Sequence, residues 1–174
     1  MAYLDIASYN LKGQAFVACN QAGATVTLIN TSTATGFILS NTWGSTKKLV
    51  LTSITFAYST VPAATAVVFW AVSVAPSQVA HATTTAIQVY AADGSGARND
   101  TAGKAYSVST TPNLPVYSRI IGYSPTTPAT SSGLTWTDRG EGAIVLVPGS
   151  YGQISYLGAA PVGVTSVEWI EVPQ

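Results

Sequence analysis

The chain is poor in charge. Only 8% of its 174 residues are Asp, Glu, Lys or Arg, against about 25% in ordinary globular proteins. Seven basic residues balance seven acidic ones, and only Lys47 and Lys48 adjoin. Nucleic-acid binders carry a basic patch or stripe, so the composition argues against nucleic acid as a partner. Cysteine is nearly absent too. Cys19 stands alone, so no intrachain disulfide can form, and the residue reads as a small buried hydrophobe. The one histidine, His81, has no metal-ligating neighbour at suitable spacing. No Gly-x-Ser-x-Gly elbow supports a nucleophile, so it reads as a loop histidine. Long apolar runs are missing. Pro62 and Pro76 bracket the most apolar one, leaving about 13 residues where a bilayer span needs roughly 20. The opening MAYLDIASYNLKGQ has no basic region leading into an apolar one, unlike a secretory signal.

The acids do not assemble either. Glycoside hydrolysis needs two carboxylates across one bond. Glu168 and Glu171 are an odd number apart and point to opposite faces of one strand. Asp138 and Glu141 sit in a Gly-rich turn beside Arg139. Asp93, Asn99 and Asp100 lack the alternation of a calcium loop. The expectation is a non-enzymatic chain with no catalytic residue, cofactor or metal.

What the chain does have is β-strand texture. Runs rich in Val, Ile, Thr, Phe, Tyr and Trp suit a pleated, half-buried surface. Lys47 to Thr60 (KKLVLTSITFAYST) and Val67 to Ala75 (VVFWAVSVA) are expected to be two neighbouring core strands. Val50, Thr52, Ile54, Phe56 and Tyr58 share the bulkier face of the first and are assigned to the core. In the second, Val68, Trp70, Val72 and Val74 share one face, and Val67, Phe69, Ala71 and Ser73 the other. A strand apolar on both faces is covered on both sides, here by the sandwich core and by a loop or a symmetry-related subunit. Further strands are expected over 15–19, 24–29, 36–40, 86–90, 105–109, 116–123, 143–147, 151–157 and 164–172. No helical period is sustained over three turns. Short strands at this spacing predict an all-β antiparallel sandwich. Residues 1–14 read as an arm or short strand, and 15–174 as a single β-sandwich domain.

Forty-one residues are Ser or Thr, so the surface is made largely of hydroxyls and small side chains. A formal net charge of zero gives a free monomer little colloidal protection. Both features suit a subunit of an assembly. Seventeen aromatics include Phe56, Phe69, Trp70 and Trp169, assigned to the core. Trp43, Trp136, Tyr117 and Tyr123 are open to either packing or recognition.

Three stretches carry a family resemblance. They are Trp43-Gly44 leading into KKLVLTSITFAYST, IVLVPGSYGQISY at 144–156, and SVEWIEVP at 166–173. With them the chain resembles small jelly-roll virion proteins of tailed bacteriophages. The resemblance implies a jelly-roll sandwich that trimerises and attaches to the outer capsid surface as a decoration or cement protein, with the major capsid protein as partner. Some proteins of this shape are tail or fibre components that bind carbohydrate or a receptor. The matching positions are structural, so no functional residue is carried over. Contact with neighbours is expected from residues 1–14 and the loops near 41–46, 93–103 and 126–142. Tyr3, Leu4, Trp43, Arg98, Trp136 and Arg139 are the candidate interface residues. Neither membrane nor cofactor is expected, and the protein would be made in the host cytoplasm and end in the virion.

Overall fold

The computed structural model describes residues 6–29, 31–60, 64–124, 135–140 and 142–174. A short helix, α1 (Ile6–Leu11), precedes β1 (Ala15–Cys19), β2 (Ala24–Thr25), β3 (Thr33–Asn41) and β4 (Lys47–Thr60). Then come β5 (Ala66–Ser73), β6 (Ala82–Ile87), β7 (Val89–Ala91), β8 (Ala97–Arg98), β9 (Gly103–Thr110) and β10 (Pro115–Ser124). The chain closes with β11 (Thr135–Asp138), β12 (Val145–Leu146), β13 (Tyr151–Gly158) and β14 (Val162–Pro173). Residues 6–11 are therefore helical, where the sequence predicts an arm or strand.

The strands form two antiparallel sheets, as expected for an all-β sandwich. One runs β11-β4-β14-β1-β7-β8, with β12 also on β4 and β2 also on β14; the other runs β10-β5-β13-β3-β9-β6. The two strands expected to be neighbours, β4 and β5, lie in different sheets. Short links carry the chain from β3 to β4 and from β4 to β5, each time crossing between sheets. The core lies between the layers and contains Phe16, Phe37, Leu39, Leu49, Leu51, Ile54, Phe56, Trp70, Ile154, Val167 and Trp169. Burying each such side chain is worth about 1.5–3 kcal/mol.

Of the two apolar faces of β5, the one holding Val68 and Trp70, both fully buried, and Val72 faces the core. Phe69, expected in the core, lies on the opposite face and is only partly buried, because alternation sends it outward when Trp70 points in. Val74, beyond the strand, is 60% exposed. The face assigned to β4 holds only in part. Ile54 and Phe56 point into the core and Tyr58 packs against it, but so do Leu49 and Leu51 point inward. Val50 faces away and packs with Ala15, Ile170 and Tyr9 of α1. The cause is a bulge. β14 pairs Glu168 with Ser53 and Trp169 with Leu51, leaving Thr52 as an extra residue. One extra residue reverses which side chains face inward.

Each of the four tryptophans rests on a glycine. A Cβ added at Gly152 would lie 2.4 Å from the Trp70 ring, at Gly103 2.8 Å from Trp169, at Gly122 2.1 Å from Trp136, and at Gly149 2.4 Å from Trp43. Wide indoles can then lie flat against the backbone of the strand or turn beside them. This raises packing density without forcing the sheets apart.

Candidate interaction surfaces

One end of the sandwich gathers the loop between β3 and β4, the segment between β5 and β6, the turn between β12 and β13, and the chain end after β14. Backbone hydrogen bonds fasten them together. Gly149 N–H donates to Asn41 O at 2.9 Å, Ser77 N–H to Gly149 O at 2.8 Å, and Gln174 N–H to Thr46 O at 3.0 Å. The buried Asn41 amide donates to both Lys47 O and Leu146 O at 2.9 Å. Gly149 has a φ of +82°, which glycine adopts without the steric cost a Cβ imposes. Its missing side chain is also what lets the Trp43 ring settle over the turn.

Trp43 is 53% exposed and forms the ridge between two depressions. One, of about 480 Å³, is lined by Lys48, Pro76, Val147, Pro148 and Gln174. The other, of about 300 Å³, is lined by Thr42, Ser77, Val79, His81 and Tyr106. An indole flanked by prolines and hydroxyls offers an apolar plane with polar neighbours, a surface type enriched in protein interfaces.

His81 is packed rather than free in a loop. Its Nδ1 lies 2.6 Å from Ser109 Oγ. Its ring stacks on Tyr106 at 5.7 Å and meets Tyr151 edge-on at 5.1 Å. Burial pulls its pKa down to about 4. Ser109 is fully buried. The pair anchors the β5–β6 segment over the outer surface of β13, where Tyr151 also donates to Asn113 O.

Ion pairs occupy much of the scarce charge. Lys47 Nζ meets Glu171 Oε2 at 2.9 Å, and Gly103 N–H donates to Glu171 Oε1 at 3.0 Å. Glu171 is fully buried. Glu168, three residues earlier, is exposed, in keeping with opposite faces. Arg98 grips Asp100 with two 2.9 Å bonds and lies 5.9 Å from the Phe16 ring centre. The Arg98 guanidinium beside it holds the Asp100 carboxyl down at about 2. Arg119 pairs with Asp138 between β10 and β11. Among the described residues no three His, Cys, Asp or Glu side chains gather as a metal site. Cys19 is half-buried rather than buried, and burial pushes its thiol pKa up.

The four candidate residues within the described part of the chain do not converge. Tyr3 and Leu4 lie outside the described residues. Trp43 stands on the loop end. Arg98 is engaged by Asp100. Arg139 is exposed just beyond β11. Trp136 turns inward: it stacks over Phe56 at 6.3 Å, meets Tyr58 edge-on at 5.0 Å and covers Gly122. Its substitution therefore tests folding before it tests recognition. Ile120 and Leu157, outside the six candidates, are 65% and 54% exposed on the second sheet. Tyr117-x-x-Ile120-x-x-Tyr123 has a period of three, which a search for strict alternation cannot register.

No family model, curated protein or solved structure matches this chain.

Proposed function

We propose that this protein is a non-enzymatic jelly-roll virion protein, a capsid decoration (cement) protein of a tailed bacteriophage. In this reading it binds the major capsid protein on the outer shell as a homotrimer. The observation that carries the proposal is strand order. Set aside the segment between β5 and β10, together with the short strands β2 and β12, and the sheets read β1-β14-β4-β11 and β3-β13-β5-β10. Numbered one to eight along the chain, these strands fall as 1-8-3-6 and 2-7-4-5. This order supports the jelly-roll reading, in which two Greek keys wrap into facing sheets. β6 to β9 then extend the two sheets at their β3 and β1 edges.

The rest of the molecule supports a structural role. Its charges are few and partly paired internally, its surface is rich in hydroxyls, and Trp43 stands at an ordered loop end. A cement protein acts by mass action: it binds assembled subunits and not dispersed ones, and so stabilises the shell. Three copies engaging together add avidity where the geometry allows simultaneous contact. Purified protein mixed with shells of its source virus that lack it should sediment with them and raise their disruption temperature. No binding to such shells would refute the reading.

A second reading, a tail- or fibre-associated carbohydrate or receptor-binding module, is favoured by one feature, the exposed Trp43 beside its grooves. Glycan binding that Trp43→Ala abolishes, in protein that does not bind shells, would select it.

A further inference from the structure

We infer that the outer face of the second sheet, around β5, β10 and the end of β13, is the surface through which copies of this chain pack against one another. The inference rests on the oligomeric part of the proposed function and is independent of the capsid as partner.

The face is built by two bulges. β10 pairs Tyr117 with Ala71, Ile120 with Phe69 and Tyr123 with Val67; Ser118 and Ile121 are the extra residues. Directly opposed residues share a face of the sheet. Val68 and Trp70 point inward, so Val67 and Phe69 point outward, and with them Tyr117, Ile120 and Tyr123. On the other side of β5, Leu157 pairs with Val67 and joins the same face. The Tyr117 ring lies 4.1 Å from Phe69, and its hydroxyl donates to Tyr156 O at 2.9 Å, which fixes the ring in place. The side chains of Ile120, Tyr123 and Leu157 remain more than half exposed.

Tyr117, Ile120, Tyr123 and Leu157 are 37%, 65%, 56% and 54% exposed, which at roughly 200 Å² per large side chain makes about 400 Å² of largely apolar surface. An ordinary stable interface takes about 800 Å² from each partner, with an apolar centre and a polar rim. The face is the right size for such a centre. No carboxylate, ammonium or guanidinium stands among its six residues, so identical faces meet without repulsion. A glycan site would need converging polar groups, whereas Ile120 and Leu157 offer only hydrocarbon. β10 is the terminal strand of its sheet order, yet its two bulges disturb the ladder a further strand would need. Contact is therefore face-on and not by sheet extension.

The test is mass in solution, without any capsid present. Wild-type protein at about 10–100 µM should be oligomeric by light scattering and sedimentation. Ile120→Lys and Leu157→Lys should each shift it to monomer with unchanged circular dichroism, while Val145→Lys, 46% exposed on the first sheet, should not. Hydrogen exchange on the wild type gives a readout that needs no variant: protection over 115–124 should rise with concentration. A monomeric wild type overturns the inference. So do folded variants that keep the wild-type mass, or exchange over 115–124 that ignores concentration. Loss of shell binding in a wild type that remains oligomeric would count against the capsid reading alone.

Discussion

The Lys47–Glu171 pair lets the asymmetry of a partly buried ion pair be measured. Glu171 is fully buried and Lys47 is 40% exposed, so removing either partner leaves a different survivor. In Lys47→Met the carboxylate stays buried with only the Gly103 N–H, and an uncompensated buried charge costs about 3–5 kcal/mol. In Glu171→Ala the ammonium can turn to water. What remains is the buried Gly103 N–H without its acceptor and the lost ion pair, about 2–3 kcal/mol together. In Glu171→Gln the amide oxygen still accepts from Gly103, and the loss is about 1 kcal/mol, that of one charge-assisted bond to a half-exposed partner. The expected order of destabilisation is Lys47→Met, then Glu171→Ala, then Glu171→Gln. Urea unfolding followed by tryptophan fluorescence reads it, since the buried Trp169 indole lies against Gly103, which bonds Glu171. With a slope of about 1–3 kcal/mol per molar, Lys47→Met should move the midpoint by at least about 1 M. If Glu171→Gln destabilises as much as Lys47→Met, the argument from unequal exposure fails.

Two further outcomes follow from the packing. His81 has a folded pKa of about 4, below its unfolded value of about 6.5, so the unfolded chain takes up the proton first. Its contribution is complete above about pH 6.5 and is lost as pH falls toward 4. Linkage bounds the loss at about 3 kcal/mol, and partial exposure reduces it to about 1–2 kcal/mol. The melting temperature of wild type should therefore fall more steeply between pH 6.5 and 4.5 than that of His81→Phe; parallel profiles would refute this. Gly122→Ala drives a methyl into Trp136 and should cost about 1–3 kcal/mol. The cost should shrink in a Trp136→Leu background, and a double-mutant cycle that shows simple additivity would contradict the contact.

Much of the architecture was legible because composition and alternation act locally. The strand character of β5 follows from the run VVFWAVSVA, and the β12–β13 turn from Pro148-Gly149-Ser150. Bulges are where alternation misleads. Thr52 adds one residue to β4 and brings Leu49 and Leu51 inward in place of Val50. Ser118 and Ile121 add two to β10 and gather Tyr117, Ile120 and Tyr123 on one face. Neither insertion has a local signature, because each is fixed by pairing with β14 or β5. The same holds for the tryptophans. Trp136 and Gly122 lie on different strands, so an aromatic that the sequence leaves open to packing or recognition is in fact a lid on the core. Glu171 resembles any polar residue of a terminal strand until Lys47 and Gly103 are brought to it.

Imaging the intact virion is the most direct test of the central claim. Density for this sandwich is expected on the outer capsid surface, in clusters of three copies contacting the major capsid protein. Density confined to the tail or fibres, or no copy on the particle, would contradict it.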